Sequence, residues 1–301
     1  MILVTGCTGF VGTHLVNKLV DEGFEVKCLA RGTSNLDRLP AGRLIFAVGD
    51  VMNVESLLEA AEGVDTVVHL VGIIREKGEA TFERIHVEGT RNTIEAAKAQ
   101  GVRRFIYQSA IGAREDGITR YQTTKWQAEE LTRASGLEWI VVRPSVIIGK
   151  WGEFVQVLVD LVKKPPVILV IGSGEYKLQP VYVGDLTQAF LHILRPVAPS
   201  PSRPVAAWNR VYELGGPEKL TFNRMLQVAQ EVLGVRKPMI HLPVGLMRPL
   251  VRGMEAVTSR FPISADQLAM LSEDSVTDHN AFTEVFGIEP TPFAEALRQS
   301  F

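Results

Sequence analysis

Tyr121 and Lys125 stand four residues apart in the run Tyr121-Gln122-Thr123-Thr124-Lys125, the spacing that puts two side chains on one face of a helix. A phenol beside an ammonium is a proton-transfer unit. The cation favours phenolate and draws a pKa of about 10 towards the working range of a general acid or base. The same ammonium can also hold the hydroxyls of a ribose.

A second constellation lies at the start of the chain. Gly6-Cys7-Thr8-Gly9-Phe10-Val11-Gly12 follows an apolar run, Ile2 to Thr5, and precedes a helical pattern, Phe10 to Glu22, with Val11, Leu15 and Leu19 on one face. In that setting Gly6 permits a tight turn, Gly9 lets the backbone approach a pyrophosphate, and Gly12 lets helix and strand pack closely. Amides at the helix start face phosphate oxygens. The expected ligand is a dinucleotide held by Gly6, Thr8, Gly9, Phe10, Val11 and Gly12. At the end of the second strand an Asp would bind the ribose 2′-hydroxyl, but Ala30 stands there, followed by Arg31, Thr33 and Ser34. A guanidinium and two hydroxyls suit a 2′-phosphate, so NADP(H) is expected, with NAD(H) the alternative. Asp50 and Val51 are placed either to meet the adenine or to open the next helix.

These residues need a scaffold, and the first half supplies it by alternating short β-branched runs with helical patterns, the mark of βαβ units. Strands are expected at 2–5, 25–30, 44–48, 66–71, 105–108 and 139–143, with helices at 10–22, 53–62, 82–100 and 121–135. The expected fold is α/β, a Rossmann-type doubly wound parallel sheet. After Pro144 come a helix at 153–164, a strand at 167–171, helices at 185–194 and 221–233, a Pro- and Ser-rich loop at 196–204 and a mainly helical tail. This reads as a cofactor domain, 1–150, and a smaller, mostly helical substrate or partner lobe, 151–301, interleaved with the sheet near 167–190.

Composition narrows the function classes. A net charge of −2 over 301 residues offers no general attraction for nucleic acid. Two cysteines, Cys7 and Cys28, make no disulfide scaffold and suit a reducing cytoplasm. No leader pattern and no apolar run of membrane-spanning length appear, which points to a cytoplasmic protein. The six histidines lack metal-ligand spacing, and no serine-hydrolase elbow is present.

Taken together, the chain resembles the short-chain dehydrogenase/reductase superfamily in its extended, epimerase/dehydratase-like branch. The resemblance rests on Gly6 to Gly12, Asp50-Val51, His69-Leu70-Val71-Gly72, Gly89-Thr90-Arg91-Asn92, Tyr121 with Lys125, Arg143-Pro144-Ser145, Val181 to Asp185 and Tyr212 to Gly216. His69 to Ile74 and His86 to Thr90 look like the subgroup that includes the nucleotide-binding accessory subunit of respiratory complex I and its bacterial relatives. The resemblance implies that Leu70, Val71 and Gly72 line the cofactor, and that Pro144 and Ser145 meet the nicotinamide through backbone groups. It also exposes two departures. Ala110 falls where the family carries its catalytic Ser, with Ser109 one residue early, and His86 replaces the family's Asn. Ser109 therefore joins Tyr121 and Lys125 as the third candidate catalytic residue. Losing the hydroxyl removes a group that polarises a carbonyl, so cofactor binding is better supported than catalysis.

Two readings follow. One is an NADP(H)-dependent oxidoreductase, or an epimerase/dehydratase, acting on a small hydroxy or keto compound. The other is a non-catalytic cofactor-binding module of a membrane-associated respiratory or quinone-related complex. Gly245 to Phe261, mixing Leu, Met and Val with Arg248, Arg252 and Arg260, is either a lid helix of the lobe or a peripheral membrane or partner contact.

Overall fold

The computed structural model describes residues 1–195, 206–245, 265–270 and 273–301. Its centre is a seven-stranded sheet in the order β11-β6-β5-β4-β1-β2-β3, every adjacent pair parallel. The strands are β1 (Ile2–Thr5), β2 (Val26–Ala30), β3 (Ile45–Val48), β4 (Thr66–His69), β5 (Arg104–Gln108), β6 (Glu138–Pro144) and β11 (Arg210–Leu214). Strand order reverses between β1 and β4, and the crevice at such a switch point is where open α/β sheets take ligands. Inner strands are apolar on both faces because helices cover both. The edge strand β3 is the exception, with Ile45 and Phe46 exposed and Val48 72% exposed.

On one face lie α1 (Phe10–Asp21) and α6 (Val183–Leu194), burying Leu15, Val16 and Leu19 against Leu186, Phe190 and Leu191. Each such side chain contributes about 2 kcal/mol on burial. The other face carries α2 (Val54–Ala61), α3 (Gly89–Ala99) and α4 (Arg120–Arg133), which bury Leu57, Ile94 and Ala128 over Leu3, Val67 and Phe105.

The expected single helix 82–100 divides. Glu83–Glu88 is a π-helical turn that runs into α3. Helix α4 begins one residue earlier than expected because Thr119 and Gln122 form a reciprocal capping box.

The second lobe has its own core, Leu158, Val162, Ile168, Met225, Leu226 and Phe293 among its buried residues. It is built from α5 (Glu153–Lys163), α7 (Phe222–Leu233) and two-stranded pairs: β7 (Ile147–Ile148) with β10 (Val181–Tyr182), β8 (Ile168–Ile171) with β13 (Met239–Leu242), and β9 (Lys177–Leu178) with β12 (Leu220–Thr221). Two short helices, α8 (Ala265–Met270) and α9 (Phe293–Arg298), and a second π-helical turn, Phe282–Phe286, complete the described elements.

Within 167–190, helix α6 packs against α1 on the sheet, and the seventh strand comes later as β11, in register Tyr212 with Val142. Among the described residues the tail combines short helices with β13 and the irregular run 273–280. The segment 245–261, apart from Gly245, and the loop 196–204 lie outside the described residues.

Candidate functional site

The glycine loop has the geometry its spacing predicts. Gly6 has φ of +75°, and a Cβ there would lie 3.1 Å from Leu70 C and Val71 N. A Cβ on Gly12 would sit 2.1 Å from Gly6 O, so no side chain fits between α1 and the turn. Gly9 caps α1 without any side-chain hydrogen bond, and no acidic residue occupies the first turn. First-turn amides left without a side-chain acceptor, at the positive end of the helix dipole, suit a diphosphate. The residues present therefore fit a dinucleotide. Thr8 and Phe10 are half-buried around this turn, while Val11 is buried in the core beneath it.

Ala30 ends β2, and Arg31 and Thr33 follow it exposed, with Ser34 half-buried. Ser34 N donates to Arg31 O at 2.9 Å, closing a turn at the crevice edge. A Cβ on Gly32 would lie 3.9 Å from Val48 Cγ1, at the exposed end of β3.

Asp50 and Val51 are more engaged than expected. Asp50 Oδ1 accepts from Met52 N at 2.9 Å, and Val51 is buried against Gly89 with its carbonyl accepting from Asn92 Nδ2 at 3.0 Å. Asn53, not Asp50, caps α2.

Tyr121 and Lys125 share one face of α4, but the expected phenol–ammonium coupling is not what this structure shows. Lys125 Nζ donates to Gln108 O at 2.7 Å and lies 4.5 Å from the centre of the Tyr107 ring. Tyr121 instead places its ring edge-on to Phe82 and His86, at 5.9 and 5.6 Å. Burial pushes the Tyr121 phenol up to about 12. It also lowers Lys125 to about 7, against the pull of Glu129 one turn along. Desolvation, rather than the neighbouring cation, sets both.

Ser109 is buried, and its hydroxyl is one of three buried side-chain polar atoms without a hydrogen-bond partner among the described residues. The other two are Tyr107 Oη and Gln108 Oε1, so all three belong to consecutive residues at the end of β5 beside Lys125. Buried orphans of this kind mark places that a ligand or water completes. Ala110 follows, half-buried and without a hydroxyl.

Leu70 N donates to Thr5 O at 3.1 Å, which holds the loop 70–72 against the glycine turn. Gly72 is exposed, and a Cβ there would lie 3.5 Å from Lys125 Nζ and 3.6 Å from His86 Nε2.

The backbone of Pro144 and Ser145, expected to meet the nicotinamide, also joins neighbouring strands. Ile111 N donates to Pro144 O at 3.0 Å and Ser145 N donates to Leu214 O at 2.9 Å. Ser145 Oγ donates to Ser275 O at 2.8 Å. The end of β6 is thus spent on joining β5, β11 and the run 273–280. Asp185, in the first turn of α6, accepts from Thr291 N and Oγ1 at 2.7 and 3.0 Å through its carboxylate.

Sequence reasoning missed three features. Glu129, fully buried, accepts from Arg143 through both carboxylate oxygens at 2.7–2.8 Å and pairs with Arg133. Its position four residues beyond Lys125 was the available signal. His69 is fully buried between Thr5 Oγ1 at 2.7 Å and Thr90 Oγ1 at 3.2 Å. Glu273 binds Arg114 at 2.5 Å and Gln122 Nε2 at 3.0 Å, tying the late chain to the capping box beside Tyr121. No pattern in the sequence announces that contact, which spans some 150 residues. No group of His, Cys, Asp and Glu able to hold a metal occurs among the described residues, and no helix there is long and apolar enough to cross a membrane.

Comparison with known proteins agrees with the geometry. Residues 6–158 match the NAD(P)H-binding family and residues 113–301 match the RmlD substrate binding domain. Ceramide reductase of Caulobacter vibrioides is 27% identical over 81% of this chain and 74% of its own. The mitochondrial NADH-ubiquinone oxidoreductase 40 kDa subunit of Neurospora crassa is 27% identical over 97% of this chain and 76% of its own. The crystal structure of UDP-glucose 4-epimerase from Thermotoga maritima superposes with a TM-score of 0.75 at 22% identity, covering 99% of this chain and 96% of that one, a likeness of fold. With both halves matched in this way, the chain belongs to the NAD(P)-binding, extended branch of the short-chain dehydrogenase/reductase superfamily.

Proposed function

We propose that this protein is an NADP(H)-dependent oxidoreductase, or an epimerase/dehydratase of the same chemistry, acting on a small hydroxy or keto compound. Residues 1–150 serve the cofactor and 151–301 choose the substrate. The observation that supports the reading is the bond from Lys125, on the helix that also bears Tyr121, to Gln108 O, one residue before the partnerless buried hydroxyl of Ser109.

Gly6, Thr8, Gly9, Phe10, Val11 and Gly12 hold the diphosphate, and Arg31, Thr33 and Ser34 take the 2′-phosphate. Asp50 and Val51 shape the adenine end, while Leu70, Val71 and Gly72 line the ribose side with Lys125. Pro144 and Ser145 close the nicotinamide end by packing. The bound cofactor supplies or accepts the hydride. With its pKa near 12, Tyr121 carries its proton at neutral pH and acts as the donor to a substrate oxygen. Ser109 donates a hydrogen bond to that oxygen in place of the hydroxyl absent at Ala110. Lys125 holds ribose hydroxyls.

One observation favours the alternative of a non-catalytic cofactor-binding module. The hydroxyl is missing at Ala110 in a chain similar to a respiratory-complex subunit. Turnover with Tyr121→Phe separates the two. The enzyme reading expects wild-type reduction of a panel of ketones with NADPH, and a loss of about a thousandfold or more in the variant with cofactor affinity retained. Absence of turnover in the wild type on every ketone, with firm cofactor binding, favours the module.

A further inference from the structure

His86 is fully buried in the middle of the π-helical turn 83–88, a backbone form that clusters at functional positions. Its Nδ1 lies 3.0 Å from Thr124 Oγ1, on the turn of α4 between Tyr121 and Lys125. Its Nε2 lies 3.1 Å from the backbone N of Ile73, and 3.1 Å from Ile73 O. The Thr124 hydroxyl has one proton, and its 2.7 Å bond to Arg120 O uses it. The hydroxyl can then only accept from His86, so Nδ1 carries the imidazole hydrogen. That leaves a lone pair on Nε2 to accept from Ile73 N–H. This arrangement satisfies three donors at once, whereas the other tautomer strands the Ile73 amide.

We propose that His86 is a positioning residue, a one-directional bridge that accepts from the Ile73 amide, donates to Thr124, and thereby fixes the Gly72 edge of the cofactor cradle against the helix bearing Tyr121 and Lys125. The bridge rests on the reading that these residues border the bound nicotinamide dinucleotide. Three contacts locate its effect. A Cβ on Gly72 would touch His86 Nε2 at 3.6 Å and Lys125 Nζ at 3.5 Å, the Tyr121 ring meets the imidazole edge-on, and Phe82 stacks on it at 5.4 Å. Burial, and then the Lys125 charge, lower the imidazole pKa to about 2. His86 is thus neutral at working pH and carries no proton to or from Tyr121.

Glutamine and asparagine separate the two arms, since glutamine's amide reaches the place of Nε2 and asparagine's that of Nδ1. In the stripped full-length protein, NADPH affinity read by nicotinamide fluorescence is expected to stay within about threefold in His86→Gln. It is expected to fall about tenfold in His86→Asn and His86→Leu, at similar melting temperatures of the cofactor-free proteins. Equal affinity in all variants, or affinities that simply follow the melting temperatures, overturns the proposal. Nitrogen-15 NMR of the cofactor-free protein reads the bridge directly, with hydrogen on Nδ1 and no titration between pH 5 and 9 expected. A hydrogen on Nε2 overturns it whether or not cofactor binds. Failure of the wild type to bind any nicotinamide dinucleotide sinks the functional reading instead.

Discussion

Lys125 carries the clearest pH signature at the scale of single residues. Its folded pKa of about 7 lies below the value of 10.5 it has when exposed. Between these limits the unfolded chain binds more protons than the folded one, so the cofactor-free protein gains stability as pH rises from about 7, by up to about 1.4 kcal/mol per unit. Below pH 7 both states hold the proton and the dependence vanishes. Lys125→Met should flatten that slope in melting temperatures recorded from pH 6 to 10, and an unchanged slope assigns it to another group. Tyr107 gives a second test. Its hydroxyl faces Thr90 without reaching hydrogen-bond geometry and is fully buried. Tyr107→Phe should therefore be neutral or stabilising by about 1 kcal/mol in denaturant melts, keeping the ring under Lys125. A loss above that size means the hydroxyl has a water partner. The Tyr121–Lys125 spacing was legible in the sequence, but its electrostatics were not. Where an ammonium points depends on the carbonyl it finds, here that of Gln108.

Helices and strands were read with most success where apolar periodicity is strong, as in α1 with Leu15 and Leu19 or in β1 and β4, buried along their whole length. The π-helical turn escaped because one extra residue per turn scarcely disturbs the pattern through Phe82, His86 and Thr90. β11 escaped as a sheet strand because the charged Arg210 and Glu213 break its apolar run. At this scale the loop–helix junction is the sharp test. Gly12→Ala drives a methyl into Gly6 O and should cost at least about 2 kcal/mol in unfolding free energy while abolishing dinucleotide binding. Retained binding would show that α1 can move away from β1. Thr119→Ala removes one arm of the capping box and should cost about 1 kcal/mol.

Across the whole molecule, the lobes meet through polar connections that local reading could not foresee. Glu129, on α4, grips Arg143 of β6. Arg143 reaches Glu213 of β11, whose other oxygen accepts from Thr277 Oγ1 at 2.6 Å. Glu129→Ala leaves two arginines short of their carboxylate and should cost about 3 kcal/mol by chemical denaturation, near the low end for a broken buried pair because both arginines keep some exposure. A cost below 1 kcal/mol would mean the network is replaceable by water. The doubly wound sheet and the crevice followed from alternating elements, whereas Glu273, Ser275 and Thr277 crossing the sheet's edge required the fold to be seen. The account stands most directly on calorimetric titration of stripped wild type and Arg31→Ala with NADPH and NADH. It predicts that wild type binds NADPH more tightly, and that the variant loses about tenfold for NADPH while NADH is little changed. No heat with either nucleotide would contradict it.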